Sequence, residues 1–162
     1  MPYNEFSINA VFSIYDDNNG ILWLGTRAGI IRFDPSSEKF AVYPSLDYGL
    51  VQVITQDPTG QFWVGSQKGL FQFNSQDSQK VNPVPLDTEL NKTTPAVLAL
   101  FTDHDGVLWI GTEGAGIFYI NTKNTPLIAT HFPTNKNYFG RINSIVEDSV
   151  NNLWFATGNG LA

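Results

Sequence analysis

The chain of 162 residues has no cysteine, one methionine, two histidines and only nine Lys and Arg. Without cysteine there are no disulfides, no thiolate metal ligands and no cysteine nucleophile, and the redox compartment is left open. Fifteen Asp and Glu bring the net charge to −6, which repels a phosphate backbone, so nucleic acid is not an expected partner. No apolar run approaches the roughly 18 residues of a membrane span. Met1 to Asn9 has neither a basic start nor an apolar centre, so neither a signal peptide nor membrane contact by this segment is expected. Helical spacing is missing too: nowhere do apolar residues recur at three and four over the ten or so positions a helix needs. What is present, 42% hydrophobic and 15% charged residues, is the composition of a chain that packs a core.

Four tryptophans organise that composition. Trp23, Trp63, Trp109 and Trp154 stand 40, 46 and 45 residues apart, a period typical of propellers and other arrays. Six positions before each lies Asp17, Asp57, Asp103 or Asp148, and three before lies Gly20, Gly60, Gly106 or, in the last copy, Asn151. Aliphatic or aromatic residues flank every Trp. A small pair follows, Gly25-Thr26, Gly65-Ser66, Gly111-Thr112 and Ala156-Thr157, and then a second glycine at Gly29, Gly69, Gly116 and Gly160.

Each unit reads as antiparallel strands. Apolar pairs such as Val11 and Ile14 or Val51 and Ile54 mark a first strand before each Asp. The Asp-x-x-Gly segment is a tight turn, in which Asp bonds the backbone ahead of it and Gly or Asn takes a positive φ; Asn151 obeys the same rule. The Trp segment is a second strand, and Gly-Ile-Ile-Arg-Phe and its equivalents are a third. A fourth is placed at Phe40 to Tyr43, Val81 to Val84 and Ile128 to Phe132. Four-stranded units of about 40 to 45 residues are β-propeller blades. The predicted fold is therefore all-β, a partial propeller of about three and a half to four blades. The blades fall at residues 10–49, 50–95, 96–139 and, incomplete, 140–162. Each Trp is expected to bury about 150 to 250 Å² between blades, roughly 4 to 6 kcal/mol as an upper bound.

The run Asp103-His104-Asp105-Gly106-Val107-Leu108-Trp109-Ile110-Gly111-Thr112 resembles the two-component regulator propeller repeat, and the resemblance extends over nearly the whole chain. It implies the extracytoplasmic, periplasmic sensor region of a histidine kinase, hybrid two-component system or diguanylate cyclase, built as seven-bladed propellers and often responsive to glycans. Ala156 and Asn151 depart from the repeat in the last copy. Other propeller motifs fit less well: the sialidase Asp-box sets its Asp five before the Trp, Kelch needs a double glycine, and WD40 needs a Trp-Asp pair.

Chemistry is sparse. The first and third turns, with Asp16-Asp17 and Asp103-His104-Asp105, look like fragments of calcium loops. The second and fourth turns keep only the first Asp, so no metal and no cofactor are expected. His104 and His131 have no serine or carboxylate placed by spacing to work with, and no catalytic residue is assigned.

Candidate ligand contacts are the positions that vary while the frame repeats: Arg27, Lys68, Glu113 and Asn159 in the loops between second and third strands, and Arg141 at a blade junction. The inter-blade links add Asp47, Tyr48, Glu89 to Lys92 and Asn135 to Tyr138. The expected partner is a small molecule or an oligosaccharide. A seven-bladed ring would need roughly 310 residues, so the exposed sheet edges of this chain are expected to be covered by the remainder of a longer propeller or by self-association. A protein-binding scaffold is the second functional reading and a propeller lyase or glycosidase a distant third.

Overall fold

A computed structural model describes residues 10–44, 49–75, 81–87, 94–123, 126–133 and 140–162. The described residues form strands and turns with no helix. The first sheet is β1 (Val11–Asp16), β2 (Leu22–Thr26), β3 (Gly29–Asp34) and β4 (Lys39–Pro44). The second is β5 (Val51–Gln56), β6 (Phe62–Ser66), β7 (Gly69–Phe73) and β8 (Val81–Val84). The third is β9 (Val97–Thr102), β10 (Val107–Thr112), β11 (Ile117–Asn121) and β12 (Thr130–His131), and the fourth is β13 (Ile142–Glu147), β14 (Leu153–Thr157) and β15 (Gly160–Leu161). Strand order within each sheet follows the chain, and every pairing is antiparallel. These are propeller blades, three of them four-stranded and the last three-stranded.

The blades meet through their inner strands: β1 touches β5, β5 touches β9, β9 touches β13, and each second strand also packs on the first strand of the next blade. The first strands therefore surround a common axis, each with its second edge unpaired among the described residues. Glycine makes the close approach possible. A Cβ on Gly65 would lie 2.6 Å from Val97 Cγ1 of the next blade, and one on Gly111 would lie 2.6 Å from Ile142 Cγ2. Larger residues there would force the sheets apart.

The turns behave as their residues dictate. Gly20, Gly60 and Gly106 have φ of 82°, 86° and 81°, and Asn151 takes 65° in the same place. At the opposite end of each blade, Thr26, Thr112 and Thr157 donate a hydroxyl hydrogen bond to the carbonyl of Gly29, Gly116 and Gly160 at 2.9, 2.7 and 2.8 Å. The hydroxyls also accept the N–H of Ala28, Ala115 and Asn159, closing the second hairpin.

Trp packing follows position in the array. Trp23 is 2% exposed and packs against Phe62 and Phe73 of the second blade, while Trp63 is 0% exposed within the core shared with the third blade. Trp109 is half-buried against Phe155. Trp154 corrects the expectation of uniform inter-blade burial, since it is 40% exposed together with Val146 and Leu161. Each Trp faces the following blade, and none of the described residues covers the outer face of the fourth. At the other end Val11 and Ile14 are exposed, although their counterparts Val51, Ile54, Ile142 and Ile145 are buried. The arrangement is an open arc.

Candidate functional site

The two ends of the blades differ in kind. At the turn end, each repeat Asp accepts hydrogen bonds from both backbone and indole. The Oδ1 atom of Asp57 accepts the N–H of Thr59 at 2.9 Å and of Gln61 at 3.2 Å, and Oδ2 accepts the indole N–H of Trp63 at 2.9 Å. Asp17, Asp103 and Asp148 repeat this with Trp23, Trp109 and Trp154 at 3.1, 2.7 and 2.8 Å. The Asp of the turn thus also fixes the Trp rotamer. The interval of six in every copy carried that information, but spacing alone did not identify the indole as the partner. For Asp148 these bonds, the indole first, hold the carboxyl at about 2. Asp34, at the start of the third-to-fourth-strand turn, is likewise held at about 2 by the Ser36 hydroxyl.

The two histidines occupy structural positions. Nδ1 of His104 bonds to Oε1 of Glu147 and its backbone N–H donates to Oε2 at 3.0 Å, tying the third blade's turn to the end of β13. That bond, aided by the nearby Asp105, raises the His104 pKa. His131 lies on the outermost strand with its ring edge-on to Phe118. Among the described residues no three His, Asp or Glu side chains group as a metal site.

The opposite end carries the loops. Arg27, Lys68, Glu113 and Asn159 sit in the loops β2–β3, β6–β7, β10–β11 and β14–β15, all exposed. Two of the five candidate residues come together. Arg141 Nη1 donates to Glu113 Oε1 at 2.8 Å across the junction of the third and fourth blades, and the Arg141 carbonyl accepts the N–H of Gly158, next to Asn159. Arg141 Nε also donates to Asn143 Oδ1 at 2.9 Å. Arg27 and Lys68 stand on separate blades. The link positions Asp47, Tyr48, Glu89 to Lys92 and Asn135 to Tyr138 lie outside the described residues.

One feature of this end escaped the sequence. Each first strand has a β-bulge one residue in, where the ladder steps from Val11 to Ser13, Val51 to Val53, Val97 to Ala99 and Ile142 to Ser144. Phe12, Gln52, Leu98 and Asn143 are the extra residues, unpaired with the second strand. Their only sequence signal is a period-two pattern that slips by one residue, which so short a strand hides.

A β-propeller arc is the class this fold defines. The family described as Two component regulator propeller matches residues 5–28, 92–114 and 139–159. No curated protein sequence matches it significantly. Among solved structures it is similar to the extracellular domain of the putative hybrid two component system BT3049 from B. thetaiotaomicron, with TM-score 0.73 and 22% identity over 99% of this chain and 22% of that one. It is also similar to PorZ, a surface component of the type-IX secretion system of Porphyromonas gingivalis, with TM-score 0.71 and 24% identity over 93% of this chain and 25% of that one. Virginiamycin B lyase from Staphylococcus aureus aligns with TM-score 0.69 and 19% identity over 94% of this chain and 54% of that one. The chain thus spans about a quarter or less of the first two and about half of the third, and at these identities the likeness is one of fold. Among the described residues no helix is long and apolar enough to cross a membrane.

Proposed function

We propose that the chain is a non-enzymatic, ligand-sensing propeller module of a two-component-type signalling receptor, acting outside the cytoplasm and responsive to glycans. The observation that carries this reading is the match of its repeats to the two component regulator propeller family, joined to a loop face whose residues change in every copy while the frame does not. The non-catalytic part is supported by the use of both histidines in structural contacts. A thermal-shift screen of the purified chain against oligosaccharides tests the proposal. A saturable shift without product formation supports it, whereas turnover of a saccharide in the same samples would make the chain an enzyme.

A second reading, a protein-binding scaffold, is favoured by the uncovered apolar faces at Val11 and Ile14 and at Val146 and Trp154. Light scattering separates the two: concentration-dependent association with no saccharide response favours the scaffold.

A further inference from the structure

We propose that the four bulge residues Phe12, Gln52, Leu98 and Asn143, with Arg141 held by Glu113, form the ligand site at the channel mouth on the loop face, and that this site takes an uncharged saccharide. The proposal deepens the sensing reading above and rests on it.

Three observations place the site. The bulges fall at the same register position in all four first strands, and those strands surround the axis. An extra residue on a strand whose axis-facing edge is unpaired has nowhere in the ladder to go, and bulges re-aim side chains in this way beside binding sites. Secondly, burial changes abruptly there. In the second and third blades, which have neighbours on both sides, Val51 and Val97 are 0% exposed, yet the next residues, Gln52 and Leu98, are only half-buried. These two side chains leave the inter-blade packing that encloses the residues before them. Thirdly, the bulge positions do not repeat chemically. A position serving the frame keeps its residue type, as Val11, Val51, Val97 and Ile142 do; Phe, Gln, Leu and Asn in one structural position do not.

The chemistry selects the ligand class. Gln52 and Asn143 each offer an amide donor and acceptor, which suits hydroxyl groups that both give and take hydrogen bonds. Phe12 and Leu98 offer apolar surface for the C–H face of a sugar ring. The one cation in the group, Arg141, is paired with Glu113 at 2.8 Å and braced by Asn143 at 2.9 Å, so these residues together carry no net charge to favour an anion.

The test is an amide NMR titration of the isotope-labelled 162-residue chain with neutral cellohexaose and mannohexaose and with an anionic heparin hexasaccharide. The expected result is saturable shifts at Gln52, Leu98 and Asn143, including the two side-chain amides, with a neutral probe. Gln52→Ala and Asn143→Ala should each weaken that binding about tenfold while the thermal midpoint stays near that of the parent chain. Shifts confined to the Asp-x-x-Gly turns, or binding of the heparin probe alone, overturn the site but leave glycan sensing standing. Absence of binding by every probe overturns both.

Discussion

The carboxylate of Asp57 accepts the indole N–H of Trp63 at 2.9 Å where both side chains are almost wholly buried. A carboxylate in that position is stable only while its donors remain, because an ionised group out of water must be hydrogen-bonded. Asp57→Ala removes the acceptor for the indole and for two backbone N–H groups and is expected to cost about 2 to 4 kcal/mol. Asp148→Ala breaks the same bonds at the exposed end of the array and is expected to cost less. Urea unfolding of both variants checks the order; equal losses would mean that burial does not control the strength of this contact.

Two glycines with different duties predict opposite tolerances. Gly65→Ala places a methyl 2.6 Å from both Val53 and Val97, and the overpacking is expected to cost about 1 to 3 kcal/mol. Gly106 has φ 81°, and a Cβ added there would meet nothing within 4 Å, so only backbone strain opposes a side chain. Gly106→Asn, which copies Asn151, is expected within about 1 kcal/mol of the parent, and Gly106→Val well below it. Thermal midpoints of the three variants rank them.

His104 and Glu147 predict a pH dependence. The folded-state pKa of His104 lies above the ordinary 6.5, chiefly through its bond to Glu147. The stabilisation is therefore complete below about pH 6.5 and is lost as pH rises through the elevated value. Histidine NMR titration should show Glu147→Gln lowering the His104 pKa and removing that part of the pH dependence of stability; an unchanged titration would mean that the tie does not form in solution. Asp148 acts in the opposite sense. Its carboxyl sits at about 2, first through the Trp154 indole, so its contribution is present above the ordinary carboxylate pKa of about 3.9 and lost as pH falls towards 2.

Trp154 gives an optical probe of the open face. Trp23 and Trp63 are sealed and Trp109 is half-buried, while Trp154 is 40% exposed, so Trp154→Phe should remove the largest single share of the acrylamide-quenchable emission. If the chain associates through its fourth blade, quenching of the parent should fall as its concentration rises. Quenching that is strong at every concentration would place any association elsewhere.

Much of the architecture was legible because each repeat states it again. Asp17, Gly20 and Trp23 could each be ornamental in one copy, but four copies separate the frame from its variable residues, and the strands, the turn conformation of Asn151 and the all-β fold followed from local rules. The site was less legible. Of the candidate residues, Glu113 and Arg141 meet, but Arg27 and Lys68 remain on their own blades, since which loops meet depends on how the blades are rotated about the axis.

The sequence by itself determined the blade: hydrogen bonds within a hairpin, positive φ at a turn and alternation along a strand are short-range effects, written in neighbouring residues. Only the tertiary structure decided what the blades do to one another. It showed that the repeat Asp grips the Trp indole, that Gly65 and Gly111 are needed by the next blade's Val97 and Ile142, and that Trp154 stands open. It also showed one bulge per inner strand, which leaves Phe12, Gln52, Leu98 and Asn143 without a partner on the second strand. These relationships join residues through space, and their cost is set by burial, which depends on the neighbouring sheet.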